Sequence, residues 1–238
     1  MRPAKFKRFY ETAVAQARTA AEGYRILLDG RPVRTPAKAE LSVPTRALAT
    51  AVAAEWSGQG AEVDLRSMPL TALACTAIDL VRPNRARVVG NVAAYAGHDL
   101  VCYRAETPAD LAARQHAVWQ PLLDWAALAF DAPLTVTAGV VSAPQPPLAL
   151  AALRRAVERL SDMELAALSC AVTAAGSLVI GLALAEGRIG AEEAFAAAQL
   201  DELYQAERWG EDPEAAQRRK AIRSELEAAA RVFDLLGR

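Results

Sequence analysis

The residues best equipped for chemistry lie in two short stretches. One is "LDELYQAERWGEDPEA", residues 200–215, where Asp201, Glu202, Glu207, Glu211, Asp212 and Glu214 crowd around Tyr204 and Trp209 in an alanine-rich chain. The other is "GHDLVCYR", in which His98, Asp99 and Cys102 are spaced to share a helix face. Carboxylates among aromatics suit acid–base work or the capture of a partner's cations, and a His/Asp/Cys face suits a metal or an activated thiol. Neither stretch is complete. His98 and Cys102 alone do not make a zinc site, and the other histidine, His116 in "RQHAVW", has no second ligand near it. Cys102 is expected to pack as a small hydrophobe beside a histidine at a helix end. Ser177 in "AAGSLV" lacks the flanking glycines of a nucleophile elbow, "GQG" at 58–60 lacks the third glycine of a dinucleotide fingerprint, and there is no Walker-type phosphate loop. No catalytic residue, cofactor or metal is therefore expected, and nucleotide binding has no support.

Helical geometry divides the first stretch in two. At about 100° per residue, Leu200, Leu203, Tyr204 and Glu207 fall on one face, and Ala198, Glu202, Ala206 and Trp209 on the opposite one. Glu211, Asp212 and Glu214 read as acids that favour the positive N-terminus of a following helix. Glu202 and Glu207 need another account, because a carboxylate among apolar side chains requires a base, a hydrogen bond or a partner. Arg208, Arg218 and Arg219 are the internal candidates. Asp201, Glu202, Tyr204, Gln205, Glu207 and Trp209 are the candidate partner-binding residues; among them Tyr204 and Trp209 would supply contact area, Asp201 and Glu202 are expected to serve a partner, and Glu207, deeper in an apolar stripe, is expected to serve the fold.

The elements that must hold these residues follow from the texture of the chain. Its 238 residues suffice for one large domain or two modest ones, and 27 basic against 28 acidic side chains leave no field to draw it onto nucleic acid or anionic lipid. Three distant cysteines, Cys75, Cys102 and Cys170, argue for a reducing, intracellular compartment. The start, "MRPAKFKRFYETAVA", has no apolar run of a secretory signal. In "YRILLDGRPVRTPAKAELSV" the Asp29-Gly30 pair predicts a hairpin. Pro44 and Thr45 open a helix through "TRALATAVAAEW", and "AEVDLRSMPLTALACTAIDLV" reads as an extended entry, a break at Pro69 and a second helix. From about Asn84 helical periods dominate, with Trp119, Leu122, Leu123 and Ala126 on one stripe and "DAPLTVTAGVVSAPQPP" as an extended connector. Residues 165–185 carry no charge and are long enough to span a bilayer. Their centre of Cys, Ser, Thr and Gly, and the acids at their flanks, predict instead one buried helix at the middle of a bundle. The expected fold is α+β: a small mixed domain with antiparallel strands over 1–85, then an all-helical bundle over 86–238.

The order of "KRFYETAVA", "YRILLDGRPVRTPAKAELSVP", "LATAVAAEWSGQG", "MPLTALACTAID", "DLVCYRAETPADLAARQHAVWQPLLDW" and "LDELYQAERWGED" resembles the ATP synthase assembly factor two family, the alpha-subunit chaperones of mitochondria and alphaproteobacteria. The resemblance runs from Lys7 to the last helix. It implies a non-enzymatic chaperone that holds the unassembled alpha subunit of the catalytic sector until beta replaces it. It also implies a β-containing N-terminal and a helical C-terminal domain, and an acidic client-binding feature that maps onto Asp201, Glu202 or a near neighbour. A cytoplasmic monomer is expected, with neither nucleic acid nor a membrane span. The competing reading is a small-molecule hydrolase or transferase using Glu207 or Asp99 with His98 as an acid–base pair; a scaffold anchored by residues 165–185 is a third.

Overall fold

The computed structural model describes residues 5–18, 23–139 and 143–238; residues 1–4 of the cationic start and 140–142 of the proline-rich connector lie outside them. The chain divides into two compact units. One comprises Met1–Arg85, Ser161–Ala167 and Arg231–Arg238, the other Ala86–Leu160 and Leu168–Ala230.

The first unit opens with β1 (Lys5–Lys7), β2 (Ala13–Ala17), β3 (Tyr24–Leu28), β4 (Arg31–Pro32), β5 (Ser42–Val43), α1 (Arg46–Ser57), β6 (Glu62–Asp64) and α2 (Pro69–Thr76). Asp29 and Gly30 both take positive φ, 47° and 78°. This is the twist a two-residue turn between antiparallel strands demands, and it sets Leu28 opposite Arg31 and Leu27 opposite Pro32. The Asp29 carboxylate accepts the Glu11 and Thr12 amides and the Thr12 hydroxyl at 2.8–3.1 Å. These bonds, those of Thr12 foremost, hold it below the usual carboxylate range. β2, β3, β4 and β5 form one antiparallel sheet, and β1 pairs with β6.

Helix α1 starts where Thr45 accepts the Leu48 amide, and it buries Leu48, Ala49, Val52, Ala53 and Trp56. Pro69 ends the extended entry and is itself the first residue of α2. The residue before it, Met68, has no side-chain oxygen to cap the helix. Glu55 of α1 supplies the cap, accepting the Leu70 and Thr71 amides at 2.8 Å and the Thr71 hydroxyl at 2.7 Å. Burial pushes Glu55 up, and the same bonds hold it back. The backbone then runs through a π-turn, Ala77–Val81, and a 3-10 turn, Arg82–Asn84.

The remaining elements are α3 (Arg85–Ala94), β7 (Tyr103–Arg104), α4 (Ala109–Phe130), β8 (Thr137–Ala138), α5 (Pro147–Glu158), α6 (Asp162–Ala175), α7 (Leu178–Ala185), α8 (Ala191–Ala198), α9 (Leu200–Trp209) and α10 (Pro213–Leu236). The stretch expected to be all-helical, 86–238, is not entirely so: among its described residues it holds one short parallel ladder, Tyr103 with Thr137 and Arg104 with Ala138. The α4 stripe of Trp119, Leu122, Leu123 and Ala126 is buried as expected, and the Trp119 indole donates to the Ala197 carbonyl at 2.8 Å.

The single helix expected over 165–185 is two. Gly176 takes φ +67° and closes α6; Ser177 then accepts the Ile180 amide and opens α7. A left-handed glycine followed by a capping serine stops one helix and starts another, and the uncharged length of the segment hid that punctuation. Every residue of α7 is buried. Among the described residues no helix is long and apolar enough to cross a membrane.

The two helices press together at Gly181, where an added Cβ would sit 2.5 Å from Val172 Cγ2 and 3.1 Å from Leu168 Cδ1. A Gly181→Ala chain should lose about 1–3 kcal/mol in urea unfolding, and Gly181→Leu more. Unchanged midpoints would mean that this contact is loose.

Candidate functional site

Four side chains of helix α9, Asp201, Tyr204, Glu207 and Arg208, meet α4. Tyr204 is 2% exposed, and its hydroxyl donates to Asp110 at 2.9 Å. The guanidinium carbons of Arg114 and Arg208 lie 5.2 and 4.5 Å from the centre of its ring. Arg208 also pairs with Asp110. The Tyr204 hydroxyl first, and Arg208 with it, hold the Asp110 carboxyl below its ordinary range. Asp201 is half-buried and accepts from Gln115 Nε2 at 2.8 Å. Gln115, itself buried, accepts the Ala105 amide through its other amide atom.

Two expectations are corrected here. Tyr204 presents no area to a partner, because its ring packs inside the unit between two arginines. Glu207 is not deep in a stripe. It lies at the surface, and its carboxylate meets Arg114 at 2.7 Å, not Arg208, Arg218 or Arg219. The helical projection placed Glu207 under Leu203 and Tyr204, but the last turn of α9 runs out to solvent, so the same face changes from buried to exposed. A pair this exposed gains little over hydration. Glu207→Ala should therefore leave the melting temperature within error of the parent; a clear drop would mean that the pair is structural.

Glu202 lies on the opposite side of α9, exposed, and among the described residues it meets no internal base. It lines a cleft of about 760 Å³ with His98, Gln199, Asp212, Glu214 and Arg218. Asp212 accepts the Ala215 amide at 2.7 Å, as an acid at the start of α10 should, and Glu211 pairs with Arg219. Glu207 does not line this cleft. Gln205 is exposed, and Trp209 is 76% exposed at the C-terminus of α9, where Gly210 follows with φ +89°.

Asp99 and Cys102 take structural places instead of a metal-binding one. Asp99 accepts the Val101 amide at 3.3 Å and the Val179 amide at 3.0 Å, and Ser177 and Leu178 bond to it as well. Burial pushes Asp99 up to about 6, against the pull of those bonds. Cys102 is buried, and burial raises its thiol to about 12, far from a reactive thiolate. His98 is exposed beside Tyr95. Among the described residues no three His, Cys, Asp or Glu side chains gather to hold a metal. The supports that the sequence reading missed are Asp110, Arg114 and Gln115 on α4. Only the i, i+4 spacing of Asp110 and Arg114 hinted at a paired surface.

Three comparisons bear on this arrangement. The family model described as ATP12 chaperone protein matches residues 7–127. The mitochondrial protein atp12 of Schizosaccharomyces pombe is 25% identical over 221 residues, covering 86% of this chain and 74% of its own. The crystal structure of Atp12 from Paracoccus denitrificans superposes with a TM-score of 0.91 at 41% identity, covering 96% of this chain and 97% of that one. An aspartate-to-lysine mutant of the Paracoccus protein matches equally well. The Atu1473 protein of Agrobacterium tumefaciens superposes with a TM-score of 0.92 at 40% identity, covering 98% of this chain and 87% of that one.

Proposed function

This chain belongs to the ATP12 chaperone family, the assembly chaperones of ATP synthase, and we propose that it binds the unassembled alpha subunit of the catalytic sector and keeps it soluble until beta takes its place. The observation that carries this reading is Glu202. It is an exposed carboxylate with no partner among the described residues, set in a cleft on a helix whose other acids, Asp201 and Glu207, already have partners. A charge left unpaired on a braced helix suits a cation brought by another protein, and Gln205 and the exposed Trp209 continue the same surface. Asp201, Tyr204 and Arg208 then act by fixing the helix against α4.

The mechanism needs no catalysis. A free alpha subunit exposes surfaces destined for its neighbours, and such apolar patches aggregate. Binding one state shifts the equilibrium toward it by mass action, and release requires only that beta bind more favourably. The hydrolase reading has less to rest on, since Asp99 is enclosed by amides while Glu207 lies outside the cleft that His98 lines.

Tagged chain co-expressed with alpha alone, and separately with beta alone, tests the proposal. Alpha should co-purify without added nucleotide, and beta should not. Recovery of neither, or of both equally, would contradict it. The site of action proposed is the bacterial cytoplasm, with the chain monomeric.

A further inference from the structure

The first unit carries a groove that the α9 site does not use. Two chambers of about 810 and 610 Å³ share the walls Phe6, Phe9, Val33, Arg34 and Trp56. The larger is floored by Met68 and edged by Leu65; the smaller reaches Arg31 and Asp29. Three features of this groove point to an occupant. Phe9 is 71% exposed, so its ring stands in water beside the buried Tyr10 and Trp56. Trp56 is 94% buried by its 6% exposure, yet its indole N–H has no acceptor. Buried donors without partners are rare, and this one belongs to a residue that walls both chambers. Lastly, Arg31 and Arg34 are exposed, and among the described residues neither meets a carboxylate. The one acid on the same wall, Asp29, is already engaged by Glu11 and Thr12.

We infer that this groove receives an extended apolar segment of the protein partner, with an acidic side chain beside Arg34. The inference rests on the reading above for who the partner is. A chain-like occupant follows from the form of the groove. Either chamber alone would suit a small ligand of the usual roughly 300–1,000 Å³ site, but joined through shared walls they exceed what one small ligand needs. The two unpaired arginines set the sign of the charge that accompanies the apolar contact.

A photo-crosslinking residue tests this on the full chain. p-Benzoylphenylalanine replaces Phe9 in one variant and the exposed Trp209, at the end of α9, in another, and each is irradiated with the co-expressed alpha subunit. The expected result is a crosslink from both positions, with the position-9 adduct mapping to an apolar alpha segment that carries Asp or Glu. Arg34→Glu should then weaken alpha binding about tenfold or more, as loss of a contact residue does, with melting unchanged. A crosslink from position 209 without one from position 9 would overturn the groove while leaving the proposed function standing. No crosslink from either would overturn both. A position-9 adduct on a co-purified lipid, or on beta in place of alpha, would also defeat the inference.

Discussion

Asp99→Ala should destabilise the chain by about 3 kcal/mol, because each buried amide left without an acceptor costs about 1–3 kcal/mol. Asp99 accepts from Val101 on its own turn and from Val179 in the first turn of α7, and Leu178 and Ser177 bond to it too. Removing it orphans donors at both places in a region that water does not reach. The positive end of α7 loses its anion in the same stroke. Asp99→Asn should do less damage, since one oxygen remains to accept, although its amide group must face a donor.

The pH dependence separates this role from simple packing. The folded value of Asp99, about 6, lies above its ordinary 3.8. The folded chain therefore holds this proton more tightly than the unfolded one. The contribution is fully present below about pH 4 and is lost as pH rises through about 6. At 1.36 kcal/mol per unit, the loss amounts to about 3 kcal/mol. The stability of the parent relative to Asp99→Asn should decline across that window in chemical denaturation. A difference constant from pH 4 to pH 7 would show that the bonds from α7 outweigh burial.

Charge reversal at Glu202 should have the largest effect on function with the least on stability. Its carboxylate is exposed and unpaired among the described residues, so Glu202→Lys should melt with the parent while alpha no longer stays soluble. Asp201→Lys provides the contrast. Asp201 is half-buried and held by Gln115, so reversal there should lower the melting temperature and confound any loss of binding. Measuring melting and alpha recovery on each purified variant distinguishes the two. A Glu202→Lys chain with full recovery of alpha would place the contact elsewhere.

Features set by neighbouring residues were legible in the sequence. Asp29-Gly30 turns the hairpin, Thr45 caps α1, and Asp212 caps α10 because each acts within a few residues of itself. Gly176-Ser177 belongs to the same class and was legible in principle, but the uncharged run around it carried more weight. The partners of α9 were not legible. Gln115 lies 86 residues before Asp201, Arg114 lies 93 before Glu207, and Asp110 lies 94 before Tyr204. Only the docking of α4 on α9 selects those pairs over the nearer arginines. The exposure of Glu207 was hidden for a related reason, since a helical projection gives the face of a residue but not the depth of the turn that carries it. The groove beside Phe9 gathers residues from β1, the hairpin, α1 and α2, a set that no local pattern brings together.

The central claim is that this chain holds free alpha subunit without consuming nucleotide. Light scattering from alpha subunit diluted out of denaturant, with and without an equimolar amount of the chain and with no nucleotide present, measures it directly. Scattering should be suppressed by the chain, and later addition of beta should draw alpha into an assembled species that no longer contains the chain. Alpha that aggregates as fast with the chain as without it would contradict the account.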